Sequence, residues 1–278
     1  MIKSILLSVD GSIYTDSVVK QGIRLANAFE SVIKVISIVD VRIFEWAVVM
    51  GTDGFVPVIP YSVYQEESKK ILESKAKAVL DKCKSILKKE KIVFETEKLH
   101  GSPVDIICER SHLVDLLIMG ARGEYAKWES KLVGATLDAV VRQCNKPILI
   151  TSKKYQEISK ILFAYDGSDK ANKALQLAGY FAAKLKVPVT ILTVNENEQI
   201  RNKFLQEANT YLEPYEVAVE LIGTSGSSEK EIVKVAKDIN CDLIVMGAFG
   251  HSRIRKAILG STTEYVMRNS MTPVLLAK

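Results

Sequence analysis

Gly247, Gly250, Gly260 and Ser261 stand at the spacing Gly-x2-Gly-x9-Gly-Ser, directly behind the apolar run Leu243-Ile244-Val245-Met246. A glycine at the end of a strand lets backbone approach a ligand closely, and a second one three residues on permits a sharp turn that exposes amide N–H groups. Gly260 and Ser261 then open a helix, whose unpaired N–H groups and partial positive charge suit a phosphate, with the serine hydroxyl as an added donor. A left-handed backbone at Gly250 or Gly260 would be a further reason for glycine there. His251, Arg253, Arg255 and Lys256 lie in the intervening loop and bias it positively. This is a phosphate cradle without a P-loop lysine. The competing reading is a glycine-rich loop whose serine only caps the helix, and His251 has two readings as well, phosphate partner or solvated loop residue.

The chain states its pattern twice. Ile5-Leu6-Leu7-Ser8-Val9-Asp10-Gly11-Ser12 returns as Ile161-Leu162-Phe163-Ala164-Tyr165-Asp166-Gly167-Ser168, and Asp115-Leu116-Leu117-Ile118-Met119-Gly120-Ala121-Arg122-Gly123 returns as Asp242-Leu243-Ile244-Val245-Met246-Gly247-Ala248-Phe249-Gly250. A duplicated domain explains the matching order of parts. The expected halves are residues 1–152 and 157–278, joined by the short polar linker 152–159. The first copy of the loop departs from the second. Gly120 and Gly123 are intact, but ten residues separate Gly123 from Gly134, and Ala135 stands where the hydroxyl belongs. Thr136 is the nearest substitute, and Arg122 and Lys127 keep that loop cationic. The first half also carries an extra segment, residues 42–64, with Phe44, Trp46, Phe55, Tyr61 and Tyr64 among Pro57 and Pro60. It reads either as a flap over the site or as apolar packing or dimer surface.

The elements that position these residues follow from periodicity. In the second half, residues 160–165, 187–194, 217–222, 242–246 and 273–277 are short apolar runs. Between them, residues 171–185, 199–212, 229–237 and 261–268 carry helical spacing, with Ser168 or Asp169 as the cap of the first. Strands that are apolar throughout and alternate with helices predict a parallel sheet covered on both faces. The first half repeats the order and ends in the strand 147–151. Such sheets bind ligands at the C-terminal ends of their strands, where both glycine loops fall.

At 278 residues the chain has room for two cores, and 47% apolar with 26% charged residues is ordinary globular composition. No stretch reaches the ~18 apolar residues of a membrane span, and the run at residues 5–9 is too short for a signal peptide. A net charge of +5, with no basic block interleaved with aromatics, gives no sign of nucleic-acid binding. Cys83, Cys108, Cys144 and Cys241 form no C-x-x-C pair and are expected as reduced, buried thiols of a cytoplasmic protein. No carboxylate pair, activated nucleophile or metal cluster stands out, so no catalytic residue and no metal ligand is expected. Any hydrolysis at the phosphate cradle would be slow. Neither a G-x-G-x-x-G fingerprint nor a G-x-x-x-x-G-K-[ST] loop occurs.

With the strand-Asp-Gly-Ser openings, the Gly-x2-Gly-x9-Gly-Ser loop, Val266-Met267-Arg268 and the closing Pro273-Val274-Leu275, the whole chain resembles a tandem universal stress protein. The resemblance implies a Rossmann-like, five-stranded nucleotide-binding α/β fold in each half and pairing through the last strands, hence a pseudo-dimer within one chain. It further implies an adenine nucleotide, ATP or ADP, with Mg²⁺ as a companion of the phosphates. Carried onto this chain, Asp166 lies near ribose and phosphates, backbone at Val194 meets adenine, and Gly247, Gly250, Gly260 and Ser261 hold the phosphates. Gly167 and Thr262 adjoin them as further contacts. The weaker first-half counterparts are Asp10, Val39, Gly120, Arg122, Gly123, Gly134 and Thr136. From residue chemistry alone, Asp166 is equally a turn residue that starts the next helix. A nucleotide-independent scaffold of the same fold is the alternative function. The Ser-Gly-Gly and His-x-Gly-His signatures of related ATP-using enzymes are absent, and homo-oligomerisation is left open.

Overall fold

The computed structural model describes residues 1–40, 61–123, 134–248 and 260–278. In the first half the elements run β1 (Ser4–Ser8), α1 (Thr15–Phe29), β2 (Val32–Asp40), α2 (Tyr61–Lys89), β3 (Phe94–Gly101), α3 (Pro103–Ser111), β4 (Leu116–Gly120), α4 (Ala135–Gln143) and β5 (Ile148–Thr151). In the second they run β6 (Ile161–Ala164), α5 (Asp169–Leu185), β7 (Val189–Val194), α6 (Glu198–Leu212), β8 (Val219–Thr224), α7 (Ser228–Asp238), β9 (Leu243–Gly247), α8 (Ser261–Asn269) and β10 (Val274–Ala277). The alternation read from the sequence is present throughout. The third strand of the second half begins two residues later than expected. The chain leaves α6 through a 3-10 turn, Glu213–Tyr215, and Glu216 in a left-handed conformation before it can pair.

All ten strands form one sheet, ordered β3-β2-β1-β4-β5-β10-β9-β6-β7-β8. Within each half every pairing is parallel, and the halves join through a single antiparallel pair in which Leu275 faces Leu149. The expected intramolecular pseudo-dimer is therefore a continuous sheet. Because the join is antiparallel, the C-terminal strand ends of the two halves lie on opposite edges of the molecule.

Helices cover both faces. On one side α1, α2, α5 and α6 bury residues such as Leu25, Leu87, Phe181 and Leu212. On the other α3, α4, α7 and α8 bury Ile107, Val140, Ile232 and Val266. Both cores run unbroken across the join. Phe29 of α1 stacks on Phe181 and Tyr180 of α5, with ring centroids 4.9 and 5.0 Å apart, geometry worth about 0.5–1.5 kcal/mol per pair beyond area burial.

The repeated aspartates have a structural job. Asp115 Oδ2 accepts from the backbone N–H groups of Lys3 (2.8 Å) and Ser4 (3.0 Å) and from the Ser4 hydroxyl. Asp242 Oδ2 accepts in the same way from Ser159 and Lys160. Each carboxylate thus pins the start of its half's first strand against the fourth.

Cys83, Cys144 and Cys241 are buried and Cys108 is half-buried, all as free thiols. Burial pushes the thiols of Cys83 and Cys108 up to about 11 and that of Cys241 to about 12. Among the described residues no helix is long and apolar enough to cross a membrane, and no group of three metal-ligating side chains occurs. The aromatic segment 42–64 lies outside the described residues as far as residue 60.

Candidate functional site

In each half the strand order reverses beside the first strand, and open α/β sheets form their ligand crevice at that point. In the second half the C-terminal ends of β6, β7 and β9 border a cleft of about 560 Å³, counted out to open solvent. Its floor is apolar, made by Ala164, Leu192, Val194, Ile232 and Met246. Its rim is polar. Ser168 caps α5, Ser228 is the first residue of α7, and Thr262 and Thr263 lie in the first turn of α8.

Three helix N-termini therefore converge on one apolar floor. The first amide groups of a helix have no intrahelical acceptor and sum to a partial positive charge. Gly260 caps α8 with no side-chain acceptor, and Ser227, ahead of α7, gives its hydroxyl to Glu229 (2.6 Å) with no cap bond. Two of the three termini thus present donors that no side-chain cap occupies. Burial, with Lys173 nearby, lowers the Lys170 ammonium pKa beside the same end of α5. A flat apolar group on the floor with an anion at the rim is the ligand this arrangement suits.

The expected contacts divide on inspection. Asp166, Val194, Gly247 and Thr262 all line the cleft. Asp166 also accepts the N–H of Ser168 (3.0 Å) through one carboxylate oxygen, so the turn-forming role is present alongside a cleft-lining position. Ser168, not Asp169, caps the helix, accepting from the Ala171 N–H. Gly167 does not line the cleft. Its φ is +74°, and a Cβ there would sit 2.6 Å from the Phe204 ring, so glycine is required by backbone and packing. Gly247 serves close packing, since a Cβ would come within 2.9 Å of the Lys170 carbonyl carbon.

Gly260 corrects one expectation. Its φ of −62° and ψ of 141° are open to any residue, so no left-handed backbone explains the glycine. Ser261 is exposed at the helix start, and the threonines after it line the cleft instead. Gly250, His251 and Arg253 lie outside the described residues, as do Arg255, Lys256 and Lys127.

Thr263 was not among the expected contacts. It is 2% exposed, and its hydroxyl donates to the carbonyls of Gly247 (3.3 Å) and Ala248 (3.0 Å), tying the first turn of α8 to the end of β9. The first half has Leu137 in that place, 2% exposed in the core. Around it, Asp10 accepts from Ser12 N–H and reaches within 2.9 Å of where a Gly123 Cβ would stand. Tyr14 takes the position of Lys170, its Cβ 2.5 Å from that of a substituted Gly120. Val39 is 2% exposed, Gly134 caps α4 as Gly260 caps α8, and Thr136 follows Ala135 in its first turn. Arg122 is half-buried, its Cα 3.2 Å from the position of a Gly134 Cβ. The parts are homologous, but the hydroxyl tie and the lysine are missing.

Fold and cleft define a tandem doubly wound α/β protein with a crevice at the switch point of its second half. The sequence profile of the universal stress protein family matches residues 1–152, 157–203 and 195–278. A universal stress protein of Synechocystis sp. is 33% identical over 287 aligned positions, covering 99% of each chain. The chain belongs to the universal stress protein family. A universal stress protein from Archaeoglobus fulgidus shares the fold, with a TM-score of 0.77 at 23% identity over 99% of this chain and 98% of its own. A shorter universal stress protein solved in complex with cAMP aligns to 44% of this chain and 98% of its own at 28% identity, with a TM-score of 0.40.

Proposed function

We propose that the second half, residues 157–278, binds an adenine nucleotide, ATP or ADP, and that the protein is a nucleotide-responsive regulator. One observation carries the reading: three helix N-termini meet over an apolar floor at the sheet's switch point. The adenine would rest on Leu192, Val194, Ile232 and Met246, and the phosphates would meet the α8 terminus. Mg²⁺ would enter with the phosphates, held by them and by water.

The residues at the rim bind and orient. Thr263 keeps the α8 terminus at a fixed distance from β9, Ser168 holds α5, and the cleft-lining Asp166 carboxylate would accept a ribose hydroxyl. The first half, residues 1–152, is degenerate as a site, because Leu137 and Tyr14 replace the hydroxyl tie and the lysine.

Extraction of the purified protein followed by chromatography tests the reading. Adenine nucleotide in near-stoichiometric amount supports it, and cAMP added in competition tells a cyclic from a linear ligand. A nucleotide-free protein whose melting is unmoved by saturating ATP would instead favour the scaffold function.

A further inference from the structure

The antiparallel join brings the C-terminal end of α4, in the first half, beside the second half's candidate site. The Lys278 ammonium meets the Val141 carbonyl of α4. Only Val140 among the last α4 carbonyls is paired with the capping N–H of Cys144, so Val141 belongs to the carbonyls that a helix end leaves without an internal partner. A cation there also answers the negative end of the helix dipole.

Lys278 is fixed at its other end to the second half. Its carbonyl accepts from Lys173 Nζ of α5 (3.1 Å), and the preceding residue, Ala277, accepts the Ala248 N–H (2.9 Å). Ala248 is in turn one of the two carbonyls held by Thr263. Alongside, Arg142 in the last turn of α4 is bonded to Asp138 (2.9 and 3.1 Å), and Arg268 in the last turn of α8 is bonded in the same way to Glu264 (2.6 Å), so this pair is common to both halves.

The position matching Lys278 lacks the device. Ser152 follows β5 where Lys278 follows β10, and its hydroxyl turns back to the Lys154 carbonyl (2.7 Å). We propose that Lys278 is a positioning residue through which the first half braces the second half's nucleotide cleft, so that the degenerate half sets the affinity of the intact one. This rests on nucleotide binding in the second half.

The Lys278 side chain faces Lys170 of α5 and the thiols of Cys108 and Cys144 from the first half, and burial is the main reason its ammonium pKa is lowered to about 8. The bracing charge is therefore present below that pH and lost above it. ATP titration calorimetry from about pH 7 to about pH 9 on the whole chain and on Lys278→Met tests the idea. Lys153→Met, an exposed lysine just past β5, is the control.

The expected result is about fivefold weaker binding in Lys278→Met near pH 7, at the low end of ordinary coupling between sites. The wild type should weaken as pH rises through about 8 while Lys278→Met stays flat and Lys153→Met follows the wild type. Lys278→Gln, which keeps a polar end without the charge, should weaken binding in the same way, and it serves in place of Lys278→Met should that variant fail to fold. A wild type that binds ATP while Lys278→Met and Lys278→Gln match it at every pH would overturn the brace alone. A wild type that binds no adenine nucleotide would overturn the proposed function with it.

Discussion

Thr263 and Gly247 are held together by a hydroxyl-to-carbonyl bond of 3.3 Å, with a companion bond to Ala248 at 3.0 Å, and this pair fixes the first turn of α8 against the end of β9. In the first half the same position is Leu137, which packs but cannot donate. Thr263→Val keeps the shape and removes both bonds. It should cost about 0.5–1.5 kcal/mol of stability and weaken ATP binding several-fold. Ser261→Ala, at an exposed position, should change affinity less. Melting and calorimetric titration of both variants check the order, and an equal or larger loss in Ser261→Ala would refute it.

Gly167 and Gly247 should respond to substitution through packing. Gly167→Ala forces a side chain into a left-handed backbone and against Phe204, and Gly247→Ala drives one into the α5 backbone. Overpacking of this kind costs about 1–3 kcal/mol. Denaturant midpoints should fall for both. Gly260→Ala, with φ −62°, carries no left-handed strain and should lose less stability than Gly167→Ala.

Both duplicated strand starts depend on a carboxylate, and Asp115 gives this a pH signature. Burial raises its pKa, but the N–H groups of Lys3 and Ser4 and the Ser4 hydroxyl outweigh burial and hold the carboxyl below its ordinary value. A depressed carboxyl contributes stability above its unfolded pKa of ~3.9, and that contribution is lost as pH falls through the folded value. Asp115→Asn should therefore be less stable than wild type near neutral pH by about 1–3 kcal/mol. The gap should narrow below about pH 4. Chemical denaturation at both pH values reads it directly, and a gap that did not narrow would show that charge plays no part.

Most of the architecture was legible because its signals are local. The apolar runs, the caps and the doubled motifs each sit within a dozen residues, and the parallel alternation follows from them. The cleft-lining positions of Asp166, Val194 and Gly247 follow from their place at strand ends, and that of Thr262 from its place just after Ser261 in α8. Thr263 and Ser228 are not legible in this way, since the first draws its role from a bond across sixteen residues and the second from the convergence of α7 on a cleft that other helices build. A left-handed backbone at Gly260, one possible reason for glycine there, is replaced by an extended one, a difference no local signal carries. Lys278 was invisible for the same reason as Thr263. Its partner, Val141, is 137 positions away.

Binding should also stabilise the fold. A ligand that recognises only the native chain adds about 2.7 kcal/mol at one hundred times its dissociation constant. Thermal melts with ATP and Mg²⁺ should therefore shift upward, and the shift should shrink in Thr263→Val.

The stoichiometry of ATP binding tests the central claim most directly. Titration calorimetry on the full chain should give one tight site, abolished or greatly weakened by Gly260→Val, which sets a branched side chain at the α8 terminus. The matching Gly134→Val, beside Leu137 and Tyr14 in the first half, should leave it in place. Two equal sites per chain, or loss of binding in Gly134→Val with Gly260→Val unaffected, would contradict the assignment of the nucleotide to the second half.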